Sequence, residues 1–329
     1  MQFMGNQLTY NHADSEEVCK PQHDSAPVIR KGFFYRIKKD MILYLMLLVP
    51  TAYILVFKYG SMYGVAIAFQ DYNIFQGITK SPWNNFATFI QIFKMNDFYL
   101  AVRNTLLLNF LELVVSFPAP VILAIMLNEL QSVRFKKLSQ TLLYLPHFLS
   151  WVIIGGIATQ LFASKGMINH VIEALGGSAV PFLSDKWHWL AVYTVIGVWQ
   201  SMGWGTILYL AAITSIDREL YEAVDVDGAG RLRKIWHVTL PGMKPTIFVL
   251  LILQLGKIMA ISFDRPYILG NSLVMDFSDV ISTYVYRIGI ASGNFSVGAA
   301  VGLFQSVVCL IFVLGANFLT KKFGEQGIW

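Results

Sequence analysis

Read by polarity alone, the chain alternates between long apolar runs and short polar ones. The apolar runs cover roughly 35–58, 101–127, 138–163, 187–213, 246–269 and 296–319, each with few polar interruptions. A bilayer core of about 30 Å takes about 20 apolar residues in a helix, so the pattern predicts six spanning helices. No stretch alternates polar and apolar residues in the way a transmembrane β-barrel requires, and no internal repeat is evident. The expected fold class is therefore all-α, a polytopic membrane protein. Residues 1–34 are polar and read as a flexible arm, with Pro21 and Pro27. The apolar run from Met41 to Phe57 has no small-residue cleavage site after it and suits an anchor rather than a signal peptide.

Composition sharpens this. The 329 residues are 55% hydrophobic and 14% charged, against about 25% charged in a soluble domain, and the mean hydropathy is +0.54. The net charge of +5 is spread in short basic clusters, not along the continuous face that nucleic acid requires. Lysine and arginine accumulate on the cytoplasmic side of a membrane protein. They gather here in the arm (Lys20, Arg30, Lys31) and at the start of the first run (Arg36, Lys38, Lys39), after the second run (Arg134, Lys136, Lys137), between the fourth and fifth (Arg218, Arg231, Arg233, Lys234, Lys244) and at the end (Lys321, Lys322). The other connections are poorer in them. Both termini and the 214–245 segment are thus expected in the cytoplasm, and Tyr63, Tyr72 and Trp83 at an outer interface.

Catalytic chemistry is not apparent. "LGKIM" at Leu255–Met259 lacks the rest of a phosphate loop, and neither a hydrolase elbow nor a zinc helix motif occurs. His12, His23, His147, His170, His188 and His237 are scattered, and Cys19 and Cys309 have no partner at ligand spacing. No metal and no bound cofactor are expected.

The segment "EAVDVDGAGRLRKIWHVTLP", Glu222–Pro241, stands out by its charge between two apolar runs. Ser215 or Asp217 can cap a helix that carries Glu219 in its first turn. Ile216, Leu220, Ala223 and Val224 form an apolar stripe, and Gly228 suits a helix end because it tolerates positive φ. A second short helix is expected from Ala229 towards Val238, broken by Pro241 and Pro245 before the next span. Taken alone, such a segment can also rest on anionic headgroups through Arg231, Arg233 and Lys234.

The spacing Glu222-Ala223-Val224, then Gly228, then Val238-Thr239-Leu240-Pro241 resembles the "EAA" loop of permease subunits in bacterial ATP-binding-cassette importers. Val224 and Val238 replace alanine and isoleucine of that pattern. The resemblance implies the type I importer permease fold, with a coupling helix that docks on a cytoplasmic ATPase. By that resemblance Asp217, Leu220, Glu222, Ala223, Asp227, Gly228, Ala229, Arg231, Leu240 and Pro241 serve the coupling. It also implies ATP and magnesium used by the ATPase and not by this chain. The implied partners are two ATPase copies, a second permease subunit forming a heterodimer, with a homodimer as the alternative, an extracytoplasmic solute-binding protein and membrane lipid, in a bacterial plasma membrane. "KYGSMYGVAIAFQDYN" and "SPWNNFATF" are similar to the corresponding region of permeases for complex oligosaccharides such as alginate or pectin fragments. The implied division is an arm (1–34), a first helix with its outer segment (35–100), a core of five helices (101–320) holding the loop at 214–245, and a tail (321–329).

A charge in mid-span costs about 2.5–3.5 kcal/mol on insertion scales, so Glu112 and Lys257 need a reason. They are expected to face the interior, where they pair with each other or line the solute path. Sugar hydroxyls call for amides and hydroxyls, and pyranose faces for aromatic rings. Asn104, Asn109, Trp199, Gln200, Trp204, Gln254, Asp264 and Tyr267 are candidates, with Phe263 beside them. An importer permease for another polar solute, a passive channel and a membrane-embedded enzyme remain as alternatives: the channel would not need the loop, and the enzyme would need clustered His, Asp or Cys at the membrane edge.

Overall fold

The computed structural model describes residues 40–322. The arm and most of the tail lie outside them. The described chain is helical almost throughout, without a strand and with one isolated bridge between Gln70 and Trp83. Its contacts divide it after Gly60. The first unit holds α1, Met41–Ile54, which buries none of its side chains. Its surface of Leu, Met, Val and Tyr suits hydrocarbon rather than water.

The second unit is a bundle. Its principal helices are α2 (Asn96–Leu111), α3 (Pro118–Asn128), α4 (Val133–Tyr144), α5 (Trp151–Phe162), α6 (Lys186–Thr214), α7 (Arg218–Val226), α8 (Arg231–Lys234), α9 (Leu240–Leu255), α10 (Asp264–Leu269) and α11 (Phe295–Lys322). Five continuous helical stretches of the described chain are long and apolar enough to cross a membrane: 41–69, 96–128, 151–174, 231–255 and 295–322. The predicted fourth span, α6, has 29 residues. Its Trp, Gln, Ser and Gly content keeps it below the hydropathy of the other five.

Two predicted spans are corrected. The run 138–163 is not one helix: α4 ends at Tyr144, a tight turn covers Leu145–Phe148, and Ser150 caps α5 by accepting from the Ile153 N–H at 3.4 Å. Pro146 enforces that break, because it lacks a donor and its ring crowds the preceding turn. The run 246–269 stops at Leu255, and the chain leaves the helix before α10. The prolines expected to break the loop's second helix do not do so. From Arg231 the helix continues through a π-turn at Ile235–Thr239 into α9, with Pro241 in its first turn and Pro245 inside it. There the Leu240 N–H reaches back five residues to Ile235, a wider turn that helps absorb the donor Pro241 cannot supply. The same device occurs at Glu112–Ser116, ahead of Pro118 and Pro120, where the Phe117 N–H bonds the Glu112 carbonyl at 2.8 Å.

Three apolar clusters hold the second unit together. One gathers Phe98, Tyr284 and Val301, another Trp189, Tyr193 and Ile154, and the third Tyr209, Met243 and Ala124. The indole of Trp189 donates to the Leu269 carbonyl at 2.8 Å, tying α6 to α10. Glycines let α6 approach its neighbours. A Cβ on Gly203 would fall inside contact distance of the Leu143 carbonyl of α4, and one on Gly205 would crowd Pro120 of α3.

Candidate functional site

The π-turn after α2 re-aims Glu112 into a cavity of about 550 Å³. Its walls include Ser116, His147, Trp151, Gln200, Ser201, Trp204, Gln254, Lys257 and Arg265. A smaller cavity of about 200 Å³ shares Glu112, Trp151, Gln254, Lys257 and Arg265 and adds Asn109, Tyr193 and Ser262. Together they form a recess whose wall mixes polar side chains with apolar ones such as Phe117, Leu208 and Leu250, built in part from the ends of broken helices. Irregular backbone at membrane depth is tolerated only where it is covered by protein or lines such a cavity.

Of the two alternatives for the mid-span charges, the pairing of Glu112 with Lys257 is corrected here, while both residues do line the cavities. Glu112 pairs with Arg265, not with Lys257. Arg265 is 7% exposed. Its other terminal nitrogen donates to the Tyr193 carbonyl at 2.6 Å, and its guanidinium lies 3.7 Å from the Tyr193 ring centroid and 5.4 Å from that of Trp151. The slot exists because residue 197 is glycine: any Cβ there would overlap the guanidinium. By charge distribution alone, Arg265 belongs to an outer helix mouth. The local signal for its true place is slight, an arginine flanked by Asp264 and Pro266 directly after an apolar run.

The predicted path residues divide. Asn109, Glu112, Gln200, Trp204, Gln254 and Lys257 stand in the cavity walls. Gln200 reaches the His147 carbonyl at 3.5 Å, and Trp204 stacks on the His147 ring at 4.6 Å and 4°. Asn109 donates to the Ile258 carbonyl at 2.7 Å, satisfying backbone freed by the break after α9. The other candidates lie elsewhere. Asn104 is fully buried and donates to the Asp279 carbonyl at 2.8 Å, so its amide is spent on packing. Trp199 points the other way along α6, into an apolar recess with Ile157 and Phe162. Tyr267 stacks on Phe263 at 4.6 Å and lines a separate recess of about 240 Å³ beside Arg287. Asp264 is exposed and lines none of these cavities. The helical period explains the split: Trp199 and Gln200 are neighbours in sequence and so cannot share a face of α6. No group of three or more potential metal ligands occurs among the described residues.

The loop between α6 and α9 has its own geometry. Asp217 caps α7, accepting from the Glu219 N–H at 3.0 Å. After α7 the chain turns at Gly228, with φ of +71°, while the Ala229 N–H returns to the Val224 carbonyl at 3.1 Å. An ion pair between Asp225 and Lys234, and a hydrogen bond between Tyr221 and Thr239 at 3.0 Å, hold α7 against the following helix. Leu220, Glu222, Ala223, Asp227 and Arg231 face outward, Ala229 is buried, and Leu240 and Pro241 begin α9.

A helical chain with five stretches able to cross a membrane among its described residues, and a capped helix between α6 and α9, can be tested against known families. Residues 98–325 match the model of the binding-protein-dependent transport system inner membrane component. The chain belongs to this family. Among relatives, the permease is 43% identical over 314 residues to protein LplB of Bacillus subtilis, covering 94% of this chain and 99% of that one. It is 44% identical over 301 residues to the polygalacturonan/rhamnogalacturonan transport system permease protein YteP of the same organism, covering 91% and 94%. A chain in the structure of a bacterial ABC transporter for import of the acidic polysaccharide alginate superposes with a TM-score of 0.81 at 38% identity, over 88% of the permease and 98% of that chain. A second alginate transporter structure, in complex with a pentasaccharide-bound periplasmic protein, gives 0.82 at 36% identity, over 91% and 100%.

Proposed function

We propose that the permease is one membrane subunit of an ATP-driven importer and carries polysaccharide-derived oligosaccharides through the recess at Glu112 and Arg265 by alternating access. The observation that carries this reading is the composition of the recess wall. Amides and hydroxyls of Gln200, Ser201, Gln254 and Ser116 are interleaved with the rings of Trp151 and Trp204. The polar groups can exchange hydrogen bonds with sugar hydroxyls, and the rings offer flat apolar faces to the C–H side of a pyranose.

The loop supplies the motor connection in this reading. α7 lies outside the bundle core with Leu220, Ala223 and Val226 exposed, apolar groups that a docking partner would cover. The ATPase that hydrolyses ATP with magnesium is a separate subunit, and closure of its two copies pushes on α7. The continuous helix from Arg231 through α9 then passes the movement to Gln254 and, just beyond it, Lys257. A second permease, similar to but distinct from this one, closes the path. A solute-binding protein delivers cargo from outside, with both termini and the loop of this chain in the cytoplasm. The division into arm, first helix with outer segment, core and tail belongs to the same proposal.

The test is ATPase stimulation of the complete assembly in liposomes by a panel of oligosaccharides, with binding protein present. Stimulation by one class of oligosaccharide, accompanied by uptake, is expected. Flux through the permease pair without ATPase or binding protein would replace this reading with a channel.

A further inference from the structure

We propose that Lys257 is the specificity residue that takes the carboxylate of an acidic, uronate-containing oligosaccharide, while Arg265 is a structural pin. This rests on the oligosaccharide reading above and names the cargo class more closely. Glu112, Lys257 and Arg265 are the charged residues in the walls of the two joined cavities. Both terminal nitrogens of Arg265 are engaged, one on Glu112 and the other on the Tyr193 carbonyl, and the guanidinium lies against Tyr193, Trp151 and Gly197, which leaves its buried Nε without a hydrogen-bond partner among the described residues. The Glu112 charge is cancelled by that pair. Lys257 is left as the net charge of the recess; the residue is exposed, and its ammonium makes no ion pair or hydrogen bond to a described residue.

Its position is built, not incidental. α9 ends two residues earlier, and the backbone beyond is tied down on both sides. The Ile258 carbonyl accepts from Asn109 at 2.7 Å, and the Met259 carbonyl accepts from Gln305 at 2.7 Å. Two polar side chains from different helices thus fix the irregular turn that presents Lys257 to both cavities. A charge at membrane depth faces the bundle interior or a water-filled cavity, and an anionic cargo in the recess can take the place of water beside Lys257 while it passes. A charge-assisted hydrogen bond to a carboxylate is stronger than a neutral one. Lysine makes it as a flexible point charge rather than as the rigid two-pronged clamp of arginine, which suits cargo that must also be released.

The experiment uses the complete importer in liposomes with trigalacturonate and its methyl-esterified form, which keeps the rings and linkages and removes the charges. Lys257→Gln is expected to lower uptake of the acidic trimer about tenfold or more, the size of a lost hydrogen bond to a charged group, and to change uptake of the ester less than about twofold. For the acidic trimer, Lys257→Arg should retain most of the rate and Lys257→Glu should fall below Lys257→Gln. Equal losses for both trimers, or an unchanged acidic-trimer rate in Lys257→Gln, would overturn the assignment. If the unaltered importer moves neither trimer nor any other oligosaccharide, the cargo reading itself falls and this proposal falls with it.

Discussion

Around Arg265 the charge is buried and its partners come from remote parts of the chain: Glu112 from the turn after α2, Tyr193 and Gly197 from α6, Trp151 from α5. Around Gly228 the charge is exposed, and most contacts join residues within about ten positions of each other. The two regions also differ in what they tolerate. A buried pair fails badly when one partner is removed, because the other charge is stranded. An exposed pair in water loses little. On the proposed reading, the solute path can therefore be rigid while the surface that meets the ATPase stays adaptable, and substitutions can separate the two.

The largest effect is expected from Arg265→Gln. It leaves Glu112 charged and mostly covered, its side chain 23% exposed, and should cost about 3–5 kcal/mol, read as a fall in the thermal midpoint of the purified importer. Adding Glu112→Gln should restore a good part of that loss. Single variants that each cost less than about 1 kcal/mol would place the pair with exposed ones and erase the contrast.

Gly203→Ala comes next. The added methyl meets the Leu143 backbone carbonyl, which unlike a side-chain end cannot swing aside. Separating α4 from α6 should cost about 1–3 kcal/mol by the same measurement. The loop glycine has no such neighbour: a Cβ at Gly228 meets nothing within 4 Å. There the difficulty is the backbone, with φ of +71°, so Gly228→Ala should cost about 1–2 kcal/mol. Hydrogen exchange should show that cost confined to α7 and the turn, with the thermal midpoint of the bundle unmoved. Gly228→Pro, whose ring holds φ near −65°, should stop uptake with the chain still in the membrane. Normal uptake by that variant would remove the coupling role.

The same contrast explains what could be read from the sequence. A cap at Ser215 or Asp217 and the Gly228 stop follow from neighbours a few residues apart, and the structure shows the stop and selects Asp217 as the cap. The apolar runs are local too, and the helical bundle follows from them. The Glu112–Arg265 pair spans 153 positions, and no spacing rule reaches that far. Pairing Glu112 with Lys257 was reasonable on depth alone. It fails because the chain leaves the helix after Leu255, and the short helix α10 then carries Arg265 back to the recess. Trp199 lines a different recess from Gln200 and Trp204 for another reason: composition identifies an aromatic residue but not which face of a long, nearly uniform helix it occupies. The continuity of the helix through Pro241 was hidden because the π-turn that permits it has no sequence signature of its own.

The smallest effect should come from Lys234→Ala. The side chains of Lys234 and Asp225 are 27% and 55% exposed, so water already serves both charges and the pair should contribute about 0.2–1 kcal/mol. Because salt screens exposed charges over about 8–10 Å, even that difference should shrink as ionic strength rises. The informative comparison is between stability and coupling. The pair bridges α7 to the helix that continues into α9, so its loss should loosen the angle between handle and bundle without unfolding either. Uptake per ATP hydrolysed should drop modestly in low salt, while the thermal midpoint stays within error. A loss of stability approaching that of Arg265→Gln would mean that the loop is as tightly built as the recess, and the division between a rigid path and an adaptable handle would have to be abandoned.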